Sequence, residues 1–585
     1  MFIALTALKE FWAKDEPIHV LGPWCFENDD IVLGNIDKEV KLLDETDGFI
    51  FTKPEPGEVS YFYENYLNKI AHFLNRYHGI NISSAAWEIL LGYFLHRSVA
   101  IIFERYRTIE AVIAGCKFHT ITLSESSFNV EGYRDTQHYI DDVHDHKFNH
   151  ELFTRILRSF GLNFKSKPYA GKSSILRQRR TVFPRLIFDV AVNSIGFLKK
   201  SRKEIFLIHT YLKPFNLIKY AIFSKFRVEV FSLPPNRHFS HAIYNPKTRA
   251  ELQGSLPSDT HFEKLLSEIL SLHLPICFLE GWADLTRLAD NRFGHFSPDV
   301  IVSCNAWYLH EEFKCWTAQI RERSTLVGAQ HGGNYGILKY HTEETFERKI
   351  TDLYLTWGWS DENGQNLKSF FSMKLLGFGC QTNGAETDEI LFVMTHKPKY
   401  FCDFKWKPME RLSYLENGKK FLLGVKPSLH KYIKFRPYSV LDGELFAQYM
   451  NESFSDVCLD SRKTKFIKSA TKAKLVICDH LMTTYLEVLS INKPCLILID
   501  EKQNDSDLRS DSVIHFDRLI KVGVAHFTIS SLTLKLNQTY FDLDSWWFSD
   551  DVQSAVEEFC SIYARKTNHF VDELDSLMAD IMEKR

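Results

Sequence analysis

Two short stretches hold the residues best able to do chemistry. The first is Ala329-Gln330-His331-Gly332-Gly333-Asn334-Tyr335-Gly336. It follows the apolar run Ser324 to Gly328, which reads as a buried strand. Glycines at this density let main-chain N–H groups approach a ligand closely. Gln330 and His331 stand at the lip of the turn, where they suit an anion or a sugar. In α/β folds ligands bind outside the carboxyl ends of strands, where this loop would lie. A tight glycine turn with a capping histidine is the plain structural alternative.

The second stretch is Val476-Ile477-Cys478-Asp479-His480-Leu481-Met482-Thr483-Thr484-Tyr485-Leu486-Glu487. A strand is expected to end near Cys478, with Asp479 and His480 at its carboxyl end. Thr483 and Thr484 open a helical run closed by Asn492-Lys493-Pro494. Hydroxyls and unsatisfied N–H groups at a helix start bind phosphate. Glu487 suits a ribose hydroxyl, or it completes a Thr-x-x-Glu capping box with Thr484.

Weaker candidates follow. Val425-Lys426-Pro427-Ser428-Leu429-His430 reads as a strand end whose Lys426 and His430 suit an anion or a nucleobase. A solvated basic residue is the alternative. Glu280 follows the apolar run Ile276 to Leu279, and a strand-end carboxylate serves as general base or nucleophile. Glu311 and Glu312 start a helix, whereas Asp299 opens a strand and points away from the expected ligand face. The tract His138 to Asn149, rich in histidine and aspartate, reads as a solvated loop, with substrate contact as the alternative. No Walker A loop, strand-linked GxGxxG, GxSxG or HExxH is found. That disfavours ATPases, nicotinamide dehydrogenases, α/β hydrolases and zinc proteases. No metal site and no cofactor are expected.

The elements that must position these residues are legible as a rhythm of strands and helices. Short strand-type runs recur at Glu204 to His209, Arg227 to Leu233, Ile276 to Leu279, Asp299 to Ser303, Thr325 to Ala329 and Asp352 to Trp357. They resume at Ile390 to Met394, Phe421 to Val425, Val457 to Leu459, Lys474 to Cys478, Cys495 to Ile499 and Ala525 to Ile529. Tyr61 to Ala114 reads as mostly helical, interrupted at Gly79-Ile80-Asn81. The expected class is α/β, with two Rossmann-like domains facing across a cleft and a junction near Gly377 to Asp388. Residues 1–375 would form an N-terminal acceptor-side domain with a helical insertion. Residues 376–585 would form a C-terminal nucleotide-sugar-binding domain whose last helix packs back on the first.

Length and charge fit that expectation. A chain of 585 residues has room for several cores. A net charge of −3 provides no global basic field for nucleic acid. Eleven scattered cysteines without a CxxC motif suit a reducing compartment. Met1 to Lys14 is not a signal peptide, and no long uninterrupted apolar run suggests a membrane span. A cytoplasmic protein is expected.

Several motifs together resemble a known family. Leu21-Gly22-Pro23-Trp24-Cys25 resembles the Leu-Gly-Glu-Trp-Cys opening of LIC12162-type transferases of bacterial surface-carbohydrate loci. The same order continues with Gln330-His331-Gly332-Gly333-x-Tyr335-Gly336, Thr356-Trp357-Gly358-Trp359, Asp479-His480, Thr483-Thr484, Leu486-Glu487, Asn492-Lys493-Pro494 and Trp546-Trp547. Pro23 departs from the pattern, where glutamate is expected. The resemblance implies a GT-B-like glycosyltransferase acting with a nucleotide-sugar co-substrate and without metal. More remotely, the loop and the Thr-Thr helix look like those of bacterial Kdo transferases and polyol-phosphate transferases, which use cytidine nucleotides.

The implied donor is therefore a CMP-activated 2-keto sugar acid, Kdo or a nonulosonate. The implied acceptor is a glycan or glycolipid of a lipopolysaccharide or other surface polysaccharide, with peripheral association at the inner membrane face. Thr483 and Thr484 would hold phosphate beside Asp479 and His480, and Glu487 the ribose. Lys426 and His430 would flank base or phosphate. Gln330, His331, Gly332 and Gly333 would meet the donor, with Glu280 and His331 catalytic. A CDP-glycerol-like polyol-phosphate transferase and a non-catalytic carbohydrate-binding or assembly protein are the alternatives.

Overall fold

Most strands of the two large sheets are apolar because both faces of those sheets are covered. In a computed structural model, described over residues 1–26, 40–43, 54–171, 204–231, 233, 242–361, 366–379, 386–404, 410–451, 453–454, 457–499 and 508–584, every paired strand runs parallel to its partner. Strands β1 (Phe2–Ala4), β2 (Ile18–Val20) and β3 (Val40–Leu42) form a small sheet in that order. β4 (Ile121–Leu123) pairs with β5 (Lys165–Lys167).

The next six strands are β6 (Ile205–Ile208), β7 (Val228–Phe231), β8 (Val300–Ser303), β9 (Thr325–Ala329), β10 (Leu353–Thr356) and β11 (Leu367–Ser369). They make a six-stranded sheet of order β11-β10-β9-β8-β6-β7. The last five are β12 (Ile390–Val393), β13 (Ile433–Arg436), β14 (Leu475–Cys478), β15 (Cys495–Leu498) and β16 (Ala525–His526), of order β13-β12-β14-β15-β16. The fold is α/β, with two large parallel sheets of Rossmann type.

The chain divides into two compact units. The first comprises Met1–His209, Ser224–Leu326 and Pro398–Met409, and the second Thr210–Phe223, Val327–Lys397 and Glu410–Arg585. The segment expected to be a hinge begins and ends within the second unit, and its residues 380–385 lie outside the described ones.

In the first unit the helical stretch is two helices, Pro56–His78 and Ser84–Gly115. Gly79, at φ 65°, ends the first. By length and composition Ser84–Gly115 is apolar enough to cross a membrane. However, 94% of its apolar window is buried inside the protein, as befits a core helix. Its buried Arg105 donates to Asn149 Oδ1 and to the Phe401 carbonyl and pairs with Glu104. The Leu-Gly-Pro-Trp-Cys motif belongs to this core. Pro23 opens a 3₁₀ turn, Trp24 Nε1 donates to the Leu5 carbonyl at 2.9 Å, and burial pushes the Cys25 thiol up to about 12.

Four expectations are corrected. The tract His138 to Asn149 is not a loop. It spans helices Thr136–Asp142 and His146–Ser159, whose N-caps are the side chains of Asp135 and Asp145, so some of its polarity is capping. Phe421 to Val425 ends the helix Glu410–Gly424, and Val457 to Leu459 makes only a bridge to Phe435. Ile276 to Leu279 contains a 3₁₀ turn, Ile276–Phe278, whose first N–H groups bond the Tyr133 and Arg134 carbonyls. A short, fully buried apolar run has no periodicity that separates strand from turn.

Glu280 therefore ends no strand. Arg249 grips it with Nε to Oε1 and Nη2 to Oε2, both at 2.8 Å, and the Asn245 N–H adds a third bond at 3.1 Å. The other carboxylates singled out nearby are also paired, Glu311 with Lys314 and Glu312 with Arg292. The Arg249 and Glu280 side chains are 2% and 6% exposed, so removing one leaves a buried charge. Glu280→Ala is expected to lower stability by about 3–5 kcal/mol. Urea denaturation reads this directly, and an unchanged midpoint would show that the clamp is not structural.

Candidate functional site

Strand β9 ends at Ala329 and β14 at Cys478, and the segments that leave them meet in the second unit. Gly333 lies against the start of the helix Thr483–Ser490. A Cβ there would sit 2.4 Å from the Met482 carbonyl oxygen and 2.8 Å from Thr483 Cα. Tyr485, 152 residues further on, donates its hydroxyl to the Gly333 carbonyl at 3.4 Å. Asn334 Nδ2 lies 3.5 Å from Met482 Sδ. Space, rather than a left-handed backbone, thus demands glycine at 333. The positive φ in this loop belongs to Gly336, at 71°.

Gln330 shapes the loop from beneath and is only 2% exposed. Its Nε2 donates to the Gly332 carbonyl at 2.8 Å. Its Oε1 accepts from the Trp357 N–H and from Trp359 Nε1, each at 2.8 Å. The Thr-Trp-Gly-Trp motif after β10 therefore serves to fix Gln330.

The helix start carries no N-cap side chain. Met482 is the N-cap residue and offers no acceptor. The Thr484–Glu487 capping box does not form, because both side chains are engaged elsewhere. Thr484 Oγ1 lies 2.9 Å from His480 Nε2, and Glu487 pairs with Lys374 at 3.2 Å. A helix start whose first N–H groups lack a capping side chain, with the positive end of the dipole, favours an anion. Thr483 is half-buried beside it.

A chain of buried polar groups backs this helix start. Tyr414 donates to Asp479 Oδ2 at 2.5 Å, and Asp479 Oδ1 lies 2.7 Å from His480 Nδ1. An ionised Asp479 only accepts, so the His480 proton sits on Nδ1 and Nε2 faces Thr484. Burial, and then the Asp479 charge, hold the Tyr414 phenol well above its ordinary range. The Tyr414 oxygen also accepts from the Thr395 N–H at 2.8 Å. Thr395 and Tyr414 line a recess at the carboxyl ends of β12 and β13, with Lys397, Pro437, Asp442 and Leu445. His396, 3.0 Å from Asp442, stands nearby.

His331 has a similar backing. Its Nε2 lies 2.8 Å from the Tyr335 hydroxyl and 3.1 Å from Glu347 Oε1. Glu347 is fully buried and accepts from the Tyr354 hydroxyl at 2.7 Å. The Tyr211 ring lies nearly parallel to His331 at 6.3 Å, and Lys374 Nζ lies 5.5 Å from the centre of that ring. Lys374 thus links the His331 side of the site to Glu487. Burial pushes the Glu487 carboxyl up, and Lys374 acts against it.

The structure brings together Gln330, His331, Gly332, Gly333, Asp479, His480, Thr483, Thr484 and Glu487. It does not bring Lys426 and His430 to them. These two precede β13 and so lie at the amino edge of the sheet, the edge opposite the ligand face. Lys426 bonds Asn537 through both nitrogens, and His430 Nε2 lies against the Leu422 and Val425 carbonyls. Sequence reasoning missed Tyr211, Glu347, Lys374 and Tyr414. For Tyr211 and Lys374 the one available signal was their place just after strands β6 and β11.

The model of the LIC12162 family transferase matches residues 1–578 of the chain. Two solved structures are similar to it. One is the spinosyn rhamnosyltransferase SpnG complexed with spinosyn aglycone, at 10% identity and TM-score 0.29, covering 64% of this chain and 99% of that one. The other is the spinosyn forosaminyltransferase SpnP, at 14% identity and TM-score 0.29, covering 65% and 100%. None of the curated proteins matches.

The Gly333 contact is testable without knowing the substrate. Gly333→Ala is expected to cost about 1–3 kcal/mol by overpacking against backbone that has little room to move. Gly57→Ala, where a Cβ meets nothing within 4 Å, is the control and should cost nothing. Equal denaturation midpoints for the two variants would remove the contact from the argument.

Proposed function

Because the chain belongs to the LIC12162 family of transferases, we propose that it transfers a sugar from a nucleotide donor to a glycan, holding the donor phosphate at the start of the Thr483–Ser490 helix. The observation that carries this reading is the helix start without a side-chain cap, overlaid by the Gly332-Gly333 loop and bordered by Thr483 and Thr484. Helix N–H groups and Lys374 suit the charge that gathers on a leaving phosphate. His480, oriented by Asp479, lies behind Thr484 and, when protonated at both nitrogens, would donate to the Thr484 oxygen and leave the threonine hydrogen for the phosphate. The recess beside Tyr414 would take the nucleoside end. This is a GT-B-like reading in which no metal is required.

The acceptor hydroxyl needs a base. His331, which lies against Glu347, would take that role. A carboxylate on one side of an imidazole fixes its tautomer and stabilises the imidazolium that forms. Glu280, held by Arg249, would first have to leave its partner. The finer reading is a CMP-activated 2-keto sugar acid, Kdo or a nonulosonate. Its support is the likeness of the loop and helix motifs to transferases that use cytidine nucleotides. The product would be a bacterial surface glycan, made on the cytoplasmic side, where nucleotide sugars are available.

Two measurements test the reading. CMP, CDP and UDP are titrated against the melting temperature, with CMP expected to stabilise by about 2.7 kcal/mol at a hundred times its Kd. Thr483→Glu should abolish that shift while keeping or slightly raising the melting temperature of the unliganded protein, since an acidic group at a helix start is favourable. A panel in which no nucleotide shifts the transition would sink the proposal. Separately, His331→Ala should retain the nucleotide shift but lose about 100-fold or more in transfer rate. Full activity would take His331 out of the chemistry.

A further inference from the structure

The helix Pro214–Phe223 carries apolar side chains on both of its faces. Leu217, Tyr220 and Ala221 are buried. Phe215, Ile218, Ile222 and Phe223 are 75%, 40%, 60% and 49% exposed. Their spacing at i, i+3, i+7 and i+8 gathers them into one outward stripe. A contiguous exposed apolar stripe of this kind marks an interaction surface.

Its charge says what the surface meets. Lys213 precedes the helix, Lys219 lies within it and Lys225 follows it, all three exposed. From Leu212 to Arg227 there is no acidic residue, in a chain whose net charge is −3. Lys213 Nζ lies 3.3 Å from the Gly377 carbonyl and Lys219 Nζ 5.3 Å from the Phe570 ring, and neither forms an ion pair among the described residues.

We infer that this helix docks the protein on an anionic lipid membrane, with the apolar stripe in the headgroup boundary and the lysines on lipid phosphates. Such surfaces combine inserted apolar groups with basic residues, because either signal alone binds weakly. A second copy of the chain is the poorer occupant, since a two-fold contact through this stripe would set the same lysines against each other. Tyr211, beside His331 and Lys374, lies three residues before the helix, so docking would bring the candidate site to the membrane surface. Only that last step, delivery of a lipid-linked acceptor, rests on the proposed function. The docking does not.

The test is flotation of the full chain with vesicles of phosphatidylcholine containing a quarter phosphatidylglycerol, and with pure phosphatidylcholine, in the absence of nucleotide. Wild type should bind the anionic vesicles, less so at high salt, and the neutral vesicles at least tenfold more weakly. Phe215→Ser with Ile222→Ser and Phe223→Ser should weaken binding at least tenfold at an unchanged melting temperature. Lys213→Gln with Lys219→Gln should lower it by about fivefold for each charge. Phe541→Ser, an exposed residue on another helical segment, should bind as wild type. The docking is overturned if wild type ignores anionic vesicles or if both multiple variants bind them normally. It is also overturned if the apolar variant changes a dimer to a monomer without changing vesicle binding. Since nucleotide is absent, the nucleotide titration can fail while this result stands, and the reverse.

Discussion

The constraint on which the site depends is the approach of Gly333 to the backbone of Met482 and Thr483. Two segments that leave different sheets come within van der Waals contact, main chain on main chain, and a side chain at 333 would have to push them apart. The contact seats a glycine loop against the amino end of a helix whose first N–H groups have no capping side chain. Hydrogen bonds around the site hold these two segments still.

The holding is done by buried hydrogen bonds. Gln330 bonds the Gly332 carbonyl within the loop and accepts two bonds from the Trp357–Trp359 turn. Glu347 joins His331 to Tyr354, and Asp479 joins His480 to Tyr414. Each histidine is thus supported by a carboxylate, and each carboxylate by a tyrosine. In a poorly solvated setting such chains are valuable only when every member is paired, since a lone buried carboxylate is costly. The tyrosines satisfy that requirement without adding charge. They also make the orientation of each imidazole a property of the core rather than of a mobile loop.

The parts of this arrangement visible in the sequence were those with a local signature. Continuous apolar runs identified β6, β8, β9, β12, β14 and β15, because strands buried on both faces lack polar positions. Glycine density at 332, 333 and 336, and threonines after a strand, marked the two loops. Glu280 misled because Ile276 to Leu279 is as apolar as any strand, yet its N–H groups bond an irregular segment at Tyr133 and Arg134. Lys426 and His430 misled for the opposite reason. Leu422 to Val425 closes an apolar turn of helix, so the basic residues enter a strand instead of leaving one, which moves them to the other edge of the sheet. Tyr414 and Glu347 had no local signature, since their roles come only from what the fold sets beside them.

The relay behind Thr484 gives the helix start a property that amides alone lack. With Asp479 accepting at Nδ1, the Nε2 atom of His480 meets a hydroxyl that both donates and accepts. Neutral His480 takes the threonine hydrogen, whereas cationic His480 gives one, and the heavy atoms need not move between the two. An anion over the helix start would draw the Thr484 hydrogen toward itself, which favours the cationic arrangement. Asp479, already bonded to Tyr414, would then balance that cation rather than repel the anion. A carboxylate so near an anion held at a helix start would be unfavourable unless something positive stood between them. The order Asp479, His480, Thr484 along the hydrogen-bonded chain supplies that separation.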